Sequence, residues 1–154
     1  GLGDVYKRQI LTLCSGNPQF YRYHPPMASE DGIRADMQAL PPEKTAADKY
    51  YVGYFDSGGL AAVLDLILGY PQEGTALIGF FMVDAARQGT GLGSRLVSEA
   101  AACLRAAGLS RLRLGVDRGN PQSFAFWTKN GFEQVDEGHY IVMERDIQTA
   151  RRGI

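Results

Sequence analysis

The sequence predicts one α/β domain of α+β character, built on a mixed sheet that is antiparallel at both ends and parallel in the middle. Three observations predict it. From residue 49 the apolar residues follow a period of two through three stretches parted by glycine turns. The period then becomes helical over residues 93–107 and alternates again over 111–116, an order of strand, helix, strand that calls for a parallel crossover. A length of 154 residues suits one ordinary core, so residues 1–154 are read as a single domain.

In chain order, DVYKRQILTLC (4–14) places Val5, Ile10, Leu11 and Leu13 on a loose helical period and predicts a first helix. SGNPQFYRYHPP (15–26) reads as an aromatic loop with one helical turn, and a second helix runs over 30–40 until Pro41 and Pro42 stop it. DKYYVGYF, the turn DSGG and LAAVLDLILGY form a hairpin; ALIGFFMV (76–83) completes an antiparallel meander. The helix over 93–107 carries Leu96, Val97, Ala100, Cys103, Leu104 and Ala107 on its apolar face and ends at Gly108; Cys103 is read as a small core residue. A short helix over 120–130 ends at Gly131, and FEQVDEGHYIVMERDI (132–147) splits at Glu137-Gly138 into a final hairpin. The tetrapeptide GNPQ occurs at 16–19 and 119–122, and both copies read as one device: an asparagine N-cap followed by proline at the first helical position.

Charge and composition exclude several classes. A formal charge of -1 gives no basic stripe for nucleic acid, and Arg111, Arg113 and Arg118 read as a solvated face. No stretch approaches the roughly 18 consecutive apolar residues of a membrane span. Two cysteines and two histidines without ligand spacing predict no metal site. The N-terminal residues lack a signal pattern, so the expected location is cytoplasmic.

The chemistry concentrates in FFMVDAARQGTGLGSRL (80–96), where an apolar strand ends at Val83 and Gly89, Gly91 and Gly93 open a helix. Backbone N–H groups at such a junction can converge on an anion, aided by the helix dipole. Glycines there also serve tight strand-to-helix packing, and both readings stand at this point. A Walker loop would need Lys-Ser/Thr where Ser94-Arg95 follows Gly93, and a dinucleotide fingerprint would need a third glycine at Ser94.

The stretch Gln88-Gly89-Thr90-Gly91-Leu92-Gly93 resembles the Q/R-x-x-G-x-G/A signature of GNAT-type N-acetyltransferases, and LRLGVDRGNPQSFAFWTKNGF resembles that family's second block. The similarity covers about residues 4–147, with the family's first strand missing. It implies a GNAT-type fold whose central parallel strands splay, an acetyl-CoA donor without metal, and a small-molecule amine or peptide acceptor. It also implies a homodimer paired through sheet edges, with neither nucleic acid nor membrane as partner. The residues from Gln88 to Ser94 (Gly89, Thr90, Gly91, Leu92 and Gly93 among them) would hold the pyrophosphate; Met82 and Val83 would pair with the pantetheine arm. Asn120 and Ser123 would touch that arm from the other side, with Phe126 and Trp127 near the thiol.

For the chemistry, the backbone N–H of Val83 would steady the oxyanion. Many relatives carry a tyrosine acid where this chain has Trp127, whose indole only donates a hydrogen bond. Tyr140 is the alternative proton donor, and His24 the candidate to accept the amine proton. Tyr21 and Tyr23 would wall the acceptor pocket. Asp65 reads either as a solvated outer-face residue, the favoured alternative, or as a contact to a cationic substrate. The expected activity is direct acetyl transfer in a ternary complex, and the alternative is a non-catalytic acyl-CoA sensing module.

Overall fold

The computed structural model describes residues 2–148. Three helices come first: α1 (Leu2–Ser15), α2 (Pro18–Tyr23) and α3 (Glu30–Gln38). What the sequence suggested as a loop with one turn is thus a six-residue helix, started by Pro18 at its first position, where the missing N–H costs nothing. Ser29 caps α3 by accepting from the Gly32 N–H at 3.0 Å, and Glu30 and Asp31 in the first turn complement the helix dipole.

Strands β1 (Lys49–Asp56), β2 (Gly59–Leu68) and β3 (Thr75–Val83) form the expected meander, closed by positive-φ Gly59 in the first turn and Gly74 in the second. Helix α4 (Leu92–Ala106) crosses over to β4 (Arg111–Asp117), which pairs parallel with β3. Helix α5 (Pro121–Lys129) leads into the closing hairpin of β5 (Glu133–Glu137) and β6 (Tyr140–Asp146). The six strands lie in the order β1-β2-β3-β4-β6-β5, antiparallel except at the central β3–β4 pair. Among the described residues β1 is the edge strand on the side away from the hairpin. Arg111 and Arg113 reach Glu144, and Arg118 reaches Glu137, so the solvated face they form also carries ion pairs to the closing hairpin.

Helices cover both faces of the sheet. On one, Ile10, Leu13, Cys14 and Ile33 of α1 and α3 pack on Val63 and Met82. On the other, Val97, Ala101 and Leu104 of α4 and Trp127 of α5 pack on Ala76, Ile78, Leu112, Leu114 and Val116. Cys103 is exposed, one position off the stripe that Leu96, Val97, Ala101 and Leu104 bury, and Cys14 is the buried cysteine. Two-sided cover also corrects the solvated reading of Asp65. It lies on the α1–α3 face, buried with Lys49, whose Nζ donates to Asp65 Oδ2 at 3.0 Å. The same ammonium donates to the carbonyls of Asp36 (2.8 Å) and Ala39 (2.7 Å), so it also caps the C-terminus of α3.

Strands β3 and β4 pair only from Thr75↔Arg111 to Ile78↔Leu114. Beyond that point β3 continues along β2 as far as Ala62↔Val83, while β4 continues along β6 as far as Asp117↔Tyr140. A wedge opens between them. Its cause is a bulge: Asp65 pairs with Phe80 and Leu66 with Ile78, leaving Gly79 as an extra residue that bends β3. Only glycine fits there, because a Cβ would stand 2.8 Å from Asp65 Oδ2. Before the bulge Ala76 and Ile78 face α4, and after it Phe81 and Val83 do.

Candidate active site

At the wedge lies a cavity of about 560 Å³. Met82, Val83 and Phe81 line it from β3, Gln88, Gly89, Gly91, Gly93 and Ser94 from the glycine loop and the first turn of α4, and Asn120, Ser123, Phe126 and Trp127 from α5. Eleven of the residues that the sequence placed around the donor therefore converge on one space. Thr90 and Leu92 do not line it. The Thr90 hydroxyl donates to Arg87 O at 2.6 Å, and Leu92 packs on Ala62, Val83 and Leu96.

The loop is shaped to present donors. Gly89 (φ 78°) and Gly91 (φ 87°) are left-handed, which turns backbone N–H groups outward at little cost only for glycine. The N–H groups of Gly89, Thr90, Gly91, Gly93 and Ser94 donate to no protein atom among the described residues, so five donors at the head of a 15-residue helix stand ready for an anion. Gly93 meets the packing reading as well: a Cβ there would stand 3.1 Å from Phe126 Cε1. Asn120 caps α5, accepting from the Ser123 N–H at 3.2 Å as expected.

Along the wedge β3 has a free edge. The Asp84 N–H donates to Ala61 O on β2 at 2.8 Å, and strand alternation then turns the polar groups of Val83 away from β2, into the wedge. The Val83 carbonyl there accepts from Asn17 Nδ2 (3.2 Å) and Gln88 Nε2 (2.9 Å), which leaves its N–H facing the opening.

Asn17 is therefore not the cap that its Pro18 neighbour suggested. It makes no capping bond, and its buried amide instead donates to Leu13 O and Val83 O while accepting from Gln88 Nε2. Asn17 and the adjoining Gln19 and Phe20 line the cavity beside the donor residues. The sequence signal was the repeated GNPQ itself, whose first copy lacks the second's cap.

Of the residues expected on the acceptor side, Tyr21, Tyr23, His24 and Tyr140 lie at or beside the C-terminal end of α2, Asp65 lies apart on β2, and none lines the donor cavity. Tyr21 packs edge-on against Phe20, and burial first, then its bond to Cys14, pushes its phenol far above the ordinary tyrosine range. Burial does the same to Tyr51, and it raises the Cys14 thiol. These groups stay protonated. Tyr23, the last residue of α2, is half-buried. His24 lies between Phe20 and Tyr140, with Nδ1 2.9 Å from Asp117 Oδ1. Tyr140 covers Gly115 at the edge of the wedge. Burial raises the carboxyl of Asp65, which the hydrogen bond from Lys49 opposes; that bond commits its charge within the protein and not to an outside cation.

The acetyltransferase (GNAT) family model matches residues 17–132. The chain belongs to the GNAT acetyltransferase family. No curated protein matches the sequence significantly. Among solved structures, an acetyltransferase from Thermus thermophilus superposes with a TM-score of 0.78 at 23% identity, covering 91% of this chain and 90% of that one. The PaiA N-acetyltransferase from Thermoplasma acidophilum, solved in complex with coenzyme A, gives 0.68 at 20% identity over 91% and 92%. The ribosomal-protein-S18-alanine N-acetyltransferase from Escherichia coli gives 0.62 at 19% over 89% and 87%. At these identities the likeness is one of fold. The GNAT fold, with its parallel β3–β4 pair, is the architecture read from the sequence, and membership supports acyl transfer from an acyl-CoA.

Proposed function

We propose that this GNAT protein transfers an acetyl group from acetyl-CoA to a primary amine by direct attack in a ternary complex. The observation that carries the reading is the cavity that joins five unused N–H donors at the head of α4 to the free edge of β3 at Val83. A pyrophosphate suits the first and an amide-bearing pantetheine arm suits the second, which it can join as a short extra strand. The bound donor supplies a thioester carbonyl at the end of that arm. The Val83 N–H would then donate to the oxygen as it gains charge, worth about 3 kcal/mol if well aligned. Neither Cys14 nor Cys103 lines the cavity, which favours direct transfer over a cysteine-bound intermediate.

Thermal melting with coenzyme A tests the cradle. A ligand at about 100 times its dissociation constant adds roughly 2.7 kcal/mol, or about 5–10 °C for a chain of this size. No shift would end the reading. Thiol release from acetyl-CoA across primary amines and peptide N-termini tests the transfer; binding without release on such a panel would favour the sensing module, to which Trp127 lends its lack of a transferable proton.

A further inference from the structure

We propose that Asp117 and His24 form the acceptor-activating pair of this enzyme: Asp117 holds the imidazole by Nδ1–H so that Nε2 takes the proton from the incoming amine. The inference rests on the acyl-transfer reading and adds the group that makes the amine a nucleophile. His24 follows α2 as its C-cap (φ -135°, ψ 66°), with its own N–H donating to Phe20 O at 3.2 Å. Those backbone angles leave the helix and send the ring across to β4, whose last residue is Asp117.

Three features fit a base better than a simple tie between α2 and β4. The first is tautomer control: an ionised carboxylate only accepts, so at 2.9 Å it fixes the imidazole hydrogen on Nδ1 and leaves Nε2 with its lone pair. The second is asymmetric exposure. The Asp117 side chain is 15% exposed and that of His24 is 44%, and Nε2 makes no hydrogen bond among the described residues, so the anchoring end is covered and the accepting end open. The third is place. The ring lies between Phe20 (5.3 Å, 33°), which lines the donor cavity, and Tyr140 (6.4 Å, 29°), which stands opposite Asp117 across the β4–β6 ladder. It therefore stands at the end of the wedge, on the face that bears α1, α2 and α3.

Most primary amines arrive as ammonium ions at neutral pH and have no lone pair to attack with. In the step proposed, His24 Nε2 takes one ammonium proton, and the amine nitrogen forms the C–N bond as the C–S bond breaks and the electron pair leaves on sulfur. A second nitrogen proton is lost on the way to the amide. One proton ends on the thiolate and the other passes to solvent.

The test compares two kinds of acceptor. His24→Gln and Asp117→Asn are each assayed with acetyl-CoA against a polyamine, an amino-acid amide and an arylalkylamine, and against hydroxylamine, which is largely uncharged at neutral pH. Coenzyme A-induced thermal stabilisation equal to wild type serves as the folding control. His24→Gln should lower kcat on the ammonium acceptors by about 100-fold, with the KM for acetyl-CoA unchanged and a loss on hydroxylamine at least about ten-fold smaller. Equal loss on both kinds, or retained kcat on the ammonium acceptors, would overturn the proposal while leaving the acyl-transfer reading intact. A wild type that neither binds acetyl-CoA nor releases thiol would sink both. A readout independent of turnover is the nitrogen-15 spectrum of the imidazole with the ring neutral and coenzyme A bound. Wild type should carry its proton on Nδ1 and Asp117→Asn should lose that preference; a wild-type proton on Nε2 would refute the pairing.

Discussion

Replacing Asn17 by alanine should weaken the fold and the donor site together. The side chain is buried and makes three hydrogen bonds: Nδ2 to Leu13 O (3.0 Å), Nδ2 to Val83 O (3.2 Å), and Oδ1 from Gln88 Nε2 (2.5 Å). At about 1 kcal/mol each, and with Gln88 exposed enough to find water, the loss is roughly 2–3 kcal/mol. That corresponds to a fall in Tm of about 4–12 °C. Because Gln88 loses a partner that holds it against Val83, the loop at the head of α4 loosens, and the Kd for coenzyme A should rise by about ten-fold, worth about 1.4 kcal/mol. Thermal denaturation followed by circular dichroism and titration calorimetry with coenzyme A measure the two effects. Asn17→Asp is the informative companion. A carboxylate can still accept from Gln88 but offers nothing to the two carbonyls, and it sets negative oxygens against them, so it should do at least as much harm as alanine. A Tm drop under about 2 °C with an unchanged Kd, or an aspartate variant as stable as wild type, would refute the hub assigned to Asn17.

Two further outcomes follow from the α1–α3 face. Lys49→Met strands the buried Asp65 carboxylate and uncaps α3, so it should cost about 3–5 kcal/mol, whereas Lys49→Met with Asp65→Leu should recover much of the loss; urea denaturation of both variants checks this, and additive losses would contradict a paired charge. Burial raises the Asp36 carboxyl above 3.8, with His24 and then Lys49 pulling the other way. A raised value in the folded chain means the stabilising protonated form is present in acid and lost as pH rises through the folded value, so Asp36→Asn should gain stability over wild type from acid towards neutral pH. A difference that is flat with pH, or of opposite sign, in denaturant midpoints would contradict that sign.

Local signals made most of the architecture legible. The meander, the crossover and the final hairpin announce themselves by period and turn glycines, and Gly89, Gly91 and Gly93 after an apolar strand mark the donor cradle because backbone geometry demands them. What stayed hidden depends on distant partners. An asparagine before proline reads the same whether its amide caps the next helix, as Asn120 does, or reaches Val83 across the fold, as Asn17 does. Asp65 looked solvated because a meander usually wets one face, and only the packing of α1 and α3 shows that both faces of this sheet are covered. Cys103 missed the core by one step of the helix, since a stripe of small residues leaves the apolar face poorly bounded. Asp117 gave no signal beyond a charge at a strand end, and its meaning comes from His24, which lies in another part of the chain.

The bulge at Gly79 has a consequence for how β3 is written. In TALIGFFMV the residues meant for the α4 layer occupy even positions, Ala76 and Ile78, before the glycine, and odd positions, Phe81 and Val83, after it. The strand is composed in two reading frames joined at one unpaired residue. Deleting that residue would join Ile78 to Phe80 in one unbroken alternation, with Phe81 and Val83 still towards α4 and Phe80 and Met82 still towards α1, and would take away only the bend. The core on either side would survive the loss of Gly79 while the bend that opens the wedge would not, so the extra residue in β3 serves the donor site and not the packing.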